Sequence, residues 1–423
     1  MAMMLPSPAR AGIRRGDSRC SQRYIGYVDE SVAAAISALD ADDPAIAADA
    51  ESAWHELVAL SPPGGPIQAS VQQYCWATIR RLDLGIERAW ARSQALADLL
   101  DRIGLARYAA IARSDETRAL LAIETDETWE TNFRAHMHAS GVAPPDTRIV
   151  SWQPICTISE LDIVDRIAAT LEVATITDGV ATTGRATLSL PHRESITPSV
   201  LATGRDGHTL LDDLLDCRID LWSTLSPTRA ALYDELASMI HAARIVPLHA
   251  ARTAYRYLQD VGEDYTRAAE TDNERQLRLV LQRLGIVHRA HGRTALRARA
   301  RNLSIDDVLD TLVHDWIGTR YTPEAVIAEA LMISLASTAR GATTMNAHFL
   351  ADALLTEEGW HDGISEAPVR AAARALGKHR HELEALGILH PGEEKPDSIA
   401  VIFACAVLRA RLLPARYPRG REG

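Results

Sequence analysis

Apolar positions recur at helical spacing over most of the chain. Between residues 67 and 105, Val71, Tyr74, Ala77, Ile79 and Leu82, then Ile86, Ala89 and Trp90, fall near the i, i+3, i+4 pattern of a one-sided helix. Asp29-Glu30-Ser31 opens an alanine-rich stretch, Asp43-Pro44 is a helix entry, and the Ser-Pro-Pro-Gly-Gly-Pro run at 61–66 is a break. The helical period returns from residue 209, where Pro227, Pro247, Pro323 and Pro368 each stand at a position suited to a helix start.

The pattern is sharpest near the C-terminus. Ser304 with Asp307 reads as a capping box ahead of a helix over 305–317. Thr322-Pro323-Glu324 starts the next, over 325–338. Its Val326, Ile327, Ala330, Leu331, Ile333 and Leu335 make it apolar almost all round, which predicts a central, buried helix. Residues 343–346 open a third helix running to Leu355, and residues 365–368 a fourth with Val369, Ala372, Ala373 and Leu376 inward.

Two places depart from this period. Between 118 and 190 there are short apolar runs at 119–123 and 148–152, with helix-like segments at 128–140 and 159–171. A Val/Ile/Thr-rich stretch over 172–190 follows, with Asp178-Gly179 as a turn signal. This predicts a small α/β unit. The second place is 275–301, which holds eight arginines and no carboxylate. Residues 276–284 form a helix with Leu277, Val280, Leu281 and Leu284 on one face, and Gly285 suits its C-terminal cap. A turn at His291-Gly292-Arg293 leads into 294–301, where Arg297, Arg299 and Arg301 alternate with small apolar residues, as on one face of a strand.

The fold expected is mainly α, a multi-domain helical protein with one small α/β unit. Five stretches follow from the breaks: a disordered basic arm at 1–24, a helical domain at 25–115, the α/β unit at 116–205, a helical unit ending in the basic hairpin at 206–302, and a helical bundle at 303–423. At 423 residues the chain exceeds one typical core.

Composition narrows the function classes. All but two of the 45 basic residues are arginines, the exceptions being Lys378 and Lys395. A bias along the whole chain is compositional, as a GC-rich genome or a salty cytoplasm produces, rather than a mark of one site. The net charge of -11 argues against a protein coated in nucleic acid but leaves room for a local basic patch, since fields decay within about 10 Å at moderate salt. Cys20, Cys75, Cys156, Cys217 and Cys405 are far apart with no C-x-x-C pair, which fits a reducing compartment and excludes a zinc ribbon. No apolar leader and no membrane-length run are present, so a cytoplasmic location is expected.

Two stretches resemble known DNA-binding families. The order helix, Gly-Ile, basic hairpin over 272–301 resembles winged-helix units, with weaker echoes around Gly104 and Gly387. Residues 303–390 resemble the cyclin-like repeat of archaeal transcription factor B and its eukaryotic relatives. The matching strings are Thr322-Pro323-Glu324-Ala325-Val326, Asn346-Ala347-His348-Phe349-Leu350-Ala351-Asp352 and Ile364-Ser365-Glu366-Ala367-Pro368-Val369-Arg370. These resemblances imply a wing of Arg289, Arg293, Arg297, Arg299 and Arg301 against phosphates. They also imply a helix-turn-helix-like pair whose exposed stripe is Arg370, Arg374 and Lys378.

Candidate chemistry is sparse. Asp212-Asp213-Leu214-Leu215-Asp216 and Asp306-Asp307-Val308-Leu309-Asp310 resemble the paired metal sites of trans-prenyl diphosphate synthases, in which Asp212, Asp216, Asp306 and Asp310 would hold Mg²⁺ against a diphosphate. Acidic first turns of helices give the same strings. Histidine pairs occur at His136/His138 and His379/His381, and His348, Asp352, Glu357 and His361 form a looser set. There is no P-loop, G-x-G-x-x-G or G-x-S-x-G string. The sequence therefore points first to a DNA-associated regulatory protein of transcription or replicon control, without cofactor or catalytic residues. A Mg²⁺-dependent diphosphate-processing enzyme and a helical scaffold or structural protein of a virus or plasmid system are the alternatives, and a homo-oligomer or protein partner is expected besides DNA.

Overall fold

The computed structural model of the chain describes residues 19–152, 157–178, 188–244, 246–262, 271–290, 293–318, 321–340, 346–360, 366–392 and 396–414. The fold is mainly α. Among the described residues, strands occur only as two two-stranded hairpins, and no helix is long and apolar enough to cross a membrane. The chain divides into two compact units, Met1–Ala143 with Asp165–Arg193, and Pro144–Val164 with Glu194–Gly423.

The first unit contains α1 (Arg19–Asp42), α2 (Pro44–Leu60) and α3 (Gln68–Gln73), which runs through a π-helical turn at Tyr74–Thr78 into α4 (Ile79–Arg81). Next come α5 (Ile86–Arg102), α6 (Ala106–Ala112), α7 (Asp115–Leu121) and α8 (Asp126–Ala139), and most of α9 (Ile158–Asp178). Asp43 caps α2, its carboxylate accepting from the N–H groups of Ala45 and Ile46 at 2.9 and 3.3 Å. Trp54 and Leu57 of α2 pack with Leu96, Leu99 and Leu100 of α5 in a continuous core. Each such leucine removed from water contributes about 1.5–3 kcal/mol.

Two expectations change here. The arm expected at 1–24 is already helical from Arg19, residues 1–18 lying outside the described ones. The Val/Ile/Thr stretch after residue 171 is the end of α9, not a strand, as far as Asp178; residues 179–187 lie outside the described ones. Thr175 and Thr177 donate their hydroxyls to the carbonyls of Leu171 and Val173, at 2.7 and 3.0 Å, which satisfies them within the helix. Leu171, Glu172 and Thr175 are buried while Val173 and Ile176 face solvent, a helical and not an alternating division. The Glu172 carboxylate accepts from the N–H of Gln68 at the start of α3 (2.7 Å) and from the Tyr108 hydroxyl (3.0 Å). Long-range packing overrides β-propensity there.

The second unit takes in most of α10 (Leu190–Leu201), then a small hairpin of β1 (Gly204–Arg205) and β2 (His208–Thr209), followed by α11 (Leu210–Leu225), α12 (Pro227–Ala242), α13 (His249–Gly262) and α14 (Asp272–Arg283). A second hairpin, β3 (Val287–Ala290) and β4 (Arg293–Leu296), leads through a 3₁₀ turn at Ala298–Ala300 to α15 (Ile305–Asp315). The remainder is α16 (Pro323–Ser337), α17 (Ala347–Glu357), α18 (Glu366–Ala385) and α19 (Ser398–Leu412). Every residue over 325–337 of α16 is buried, and this helix packs against α12, α17, α18 and α19, as its all-round apolar sequence predicts. Ser304 and Thr322 cap α15 and α16, and Asn346 caps α17. Stretches 206–302 and 303–423 lie in this one unit, joined by contacts of α13 with α15 and of α14 with α18.

Candidate functional site

Helix α14 begins with a reciprocal Thr271/Glu274 capping box and ends in a Schellman motif. Gly285 takes φ of +69°, its N–H reaching the carbonyl of Gln282 at 3.0 Å, and the N–H of Ile286 reaches Leu281 at 2.9 Å. Ile286 and Leu281 are both buried, closing the cap. The chain then enters the antiparallel hairpin in the register Val287↔Leu296, His288↔Ala295, Arg289↔Thr294 and Ala290↔Arg293. Helix, Gly-Ile and hairpin thus follow in the order the sequence indicates.

The echoes at Gly104 and Gly387 have the same cap and not the same sequel. Their φ values are +82° and +71°, with Leu105 N–H on Leu100 and Ile388 N–H on Leu383 at 2.8 and 2.9 Å. The chain goes on to α6 in one case and towards α19 in the other, with no strand among the described residues. A glycine between two branched apolar residues reports the positive φ of a helix stop, whatever comes next.

The second strand is also shorter than the arginine alternation suggests. The N–H of Arg297 still reaches the carbonyl of Ile286 at 3.0 Å, but the next partner position would be Gly285, inside the cap of α14. With no strand left to pair, the chain turns through 298–300 and buries Ala300. Arg297 and Arg301 therefore do not share a strand face, and the register places Arg289 and Arg293 on opposite faces of the hairpin.

Partners within the described residues separate the arginines of 275–301 into two groups, Arg275 lying 3.9 Å from Asp272 in the first. Arg278 is buried against Gln282 at 3.1 Å. Arg283 donates to the carbonyl of Trp316 at 2.7 Å and to Glu382 at 2.9 Å, with its guanidinium 4.9 Å from the Trp316 ring centre. Arg289, Arg293, Arg297 and Arg301 are exposed, and no described carboxylate pairs with any of them. The turn residues His291 and Gly292, and the side chain of Arg299, lie outside the described ones. Arg370, Arg374 and Lys378 are exposed along α18, which packs on α14; the Lys378 ammonium lies 4.0 Å from Glu382.

The two Asp strings have structural partners. Asp212 is fully buried and closes a capping box with Thr209. Burial alone would raise its carboxyl. Hydrogen bonds from Thr209 and His241 and the charge of Arg244 outweigh this and hold it at about 2. Arg409 also reaches it, at 3.5 Å. Asp216 faces the Nε2 of His241 at 2.7 Å. In the second string Asp307 accepts from the N–H and hydroxyl of Ser304, at 2.8 and 2.7 Å, while Asp310 pairs with Arg148 and with His314. No group of three His, Cys, Asp or Glu side chains among the described residues is arranged to hold a metal ion. Asp212 and Asp307 thus cap helices, and Asp212 and Asp310 neutralise arginines.

The histidine sets disperse in the same way. His379 and His381 face Glu382 and Glu384, at 2.9 and 3.0 Å on α18, and Glu357 binds the hydroxyl of Ser226 and the N–H of Thr228 at the start of α12. Burial pushes the Cys75 thiol up to about 12 and that of Cys405 up to about 11, which removes both as nucleophiles at neutral pH.

One cluster escaped sequence reasoning. Glu329, in the middle of α16, is fully buried and accepts from Arg229 Nε at 2.7 Å and from the Tyr233 hydroxyl at 2.6 Å. Arg229 also pairs with Glu358 and lies 4.2 Å from the Trp222 ring centre, and Arg411 Nε is 3.8 Å from Glu329. Burial would raise the Glu329 carboxyl, but Arg229 and Arg411 bring it below the ordinary range. The signal was there: a carboxylate within a wholly apolar helix requires a buried cation.

The chain matches no protein-family model, no curated protein and no solved structure.

Proposed function

We propose that the chain is a DNA-associated regulatory protein, acting in transcription or replicon control in the cytoplasm. It grips phosphates with the hairpin β3–β4 and the turn after it, and presents α18 as a second basic element. One observation carries this reading: Arg289, Arg293, Arg297 and Arg301 are exposed and pair with no carboxylate among the described residues, in a unit where Arg218, Arg229, Arg244 and Arg283 are all held by carboxylates. A guanidinium left without an internal partner retains its full capacity for bidentate phosphate contacts. Helix α14 packs on both β3 and α18, so the hairpin is tied to the helix carrying Arg370, Arg374 and Lys378. The winged-helix and cyclin-like resemblances fit the same role.

The reading does not require a positively charged protein. Fields decay within about 10 Å at moderate salt, so charge elsewhere on a chain of net charge -11 is largely screened at each of these arginines. The test is titration of labelled duplex DNA with the purified chain across a salt series. Phosphate contacts give an affinity falling linearly on a log–log scale, with a slope of about −0.9 per contact. Absence of binding at low salt would overturn the reading.

A further inference from the structure

A cavity of about 620 Å³ opens in the second unit, lined by residues whose chemistry is sorted by wall. Its apolar lining includes Leu309 and Val313 of α15, Ala406 and Ala410 of α19, and Val246 and Leu413. The carboxylates Asp306, Asp307 and Asp310 all come from α15, while the guanidinium groups come from Arg244, just past α12, and Arg409 on α19. The volume lies within the roughly 300–1,000 Å³ typical of small-molecule sites.

The cationic wall carries more charge than its partner neutralises. Arg244 and Arg409 share one carboxylate, Asp212. The hydrogen bonds of Arg409 are all long: 3.5 Å to the carbonyl of Ile240, 3.3 Å to that of His241 and 3.5 Å to Asp212, although its side chain is only 10% exposed. A nearly buried guanidinium with stretched contacts is incompletely compensated. Burial is also the dominant influence on it, lowering its pKa despite Asp212. The acidic wall shows the opposite imbalance. Arg148 and His314 both hold Asp310, and Asp307 is engaged by uncharged Ser304. Asp306 is exposed at the rim.

We infer that this cavity binds an amphipathic zwitterion, its carboxylate set against Arg244 and Arg409, its apolar chain along α15 and α19, and its ammonium group against Asp306 and Asp307. Two guanidinium groups against one carboxylate leave a single positive charge, which a monoanionic carboxylate matches and a dianionic phosphate exceeds. An uncharged or purely anionic ligand would leave one wall unanswered. The inference stands independently of the nucleic-acid reading, since none of the cavity residues belongs to the hairpin.

The test uses the full chain and isothermal titration with 4-aminobutanoate, 6-aminohexanoate and 8-aminooctanoate, the length being scanned because the charge spacing selects it. Hexanoate and hexylamine serve as one-ended probes. The expected result is saturable one-site binding of one length, with Kd at or below about 1 mM at low salt and about tenfold weaker binding of either one-ended probe. Arg244→Gln and Asp306→Asn should each weaken it about tenfold. Both side chains are substantially exposed, and Arg244→Gln keeps a hydrogen-bond donor for Asp212 where Arg409→Met would not; a urea midpoint measured for each variant separates lost binding from lost folding. No saturable binding of any length, equal binding of hexanoate, or affinity unchanged in both variants would each overturn the inference.

Discussion

Arg229 and Arg297 carry the same side chain in the same unit, and the fold uses them in opposite ways. Arg229 sits in the interior of the bundle, with Glu329 and Glu358 around its guanidinium and the Trp222 ring 4.2 Å away. Arg297 stands at the surface, just past the last strand pairing, with no described carboxylate beside it. Pairing in the interior neutralises charge that would otherwise be costly to bury. Exposure without pairing leaves charge available to something outside the protein. In a chain this rich in arginine the number of guanidinium groups is uninformative, and what distinguishes them is whether the fold has already supplied their anion.

If that contrast holds, substitutions in the two regions should separate stability from binding. The largest effect is expected for Glu329→Leu, which strands Arg411 in the core and leaves Arg229 with Glu358 alone. Removing one partner of a buried pair costs about 3–5 kcal/mol, read as a lowered midpoint in urea denaturation.

Asp212→Asn should come next. Its folded carboxyl titrates at about 2, below an unfolded value of about 3.9, so it binds its proton less readily in the folded state. The stability it contributes is fully present above pH 4 and is lost as pH falls through 2, a span worth about 2–3 kcal/mol. Denaturation of the wild type from pH 5 to pH 2 should show this fall, and the Asn variant a flatter profile. Equal slopes would mean that the network around Asp212 does not hold in solution.

A smaller effect belongs to Gly285→Ala. The residue needs φ of +69° to close the Schellman motif, and a Cβ there costs about 1–2 kcal/mol. The same change loosens the hairpin's attachment to α14, so hydrogen exchange of the Ile286 amide should quicken more than that of the α16 amides.

Helix starts and stops were legible because they are local. Ser304/Asp307, Thr322-Pro323 and Gly285 each carry their own geometry within a few residues. The length of β4 was not legible, since it depends on where the partner strand meets the cap of α14. The strand expected after residue 171 failed for a related reason: Glu172 finds its partners at Gln68 and Tyr108, far away in sequence. Of the candidate site, the basic segment could be read directly. Its separation into buried Arg278 and exposed Arg289 could not, nor could the pairing of Arg229 with Glu329, which lies 100 residues away.

The smallest expected change in stability comes with the largest expected change in binding. Arg289→Glu with Arg297→Glu should leave folding within about 0.5 kcal/mol of wild type, because both side chains are exposed and neither pairs with a described carboxylate. Measured side by side with the wild type on duplex DNA, the double variant should show weaker affinity and a salt slope shallower by about 2. An unchanged slope and affinity, with the fold intact, would contradict the claim that these arginines are held free for phosphate.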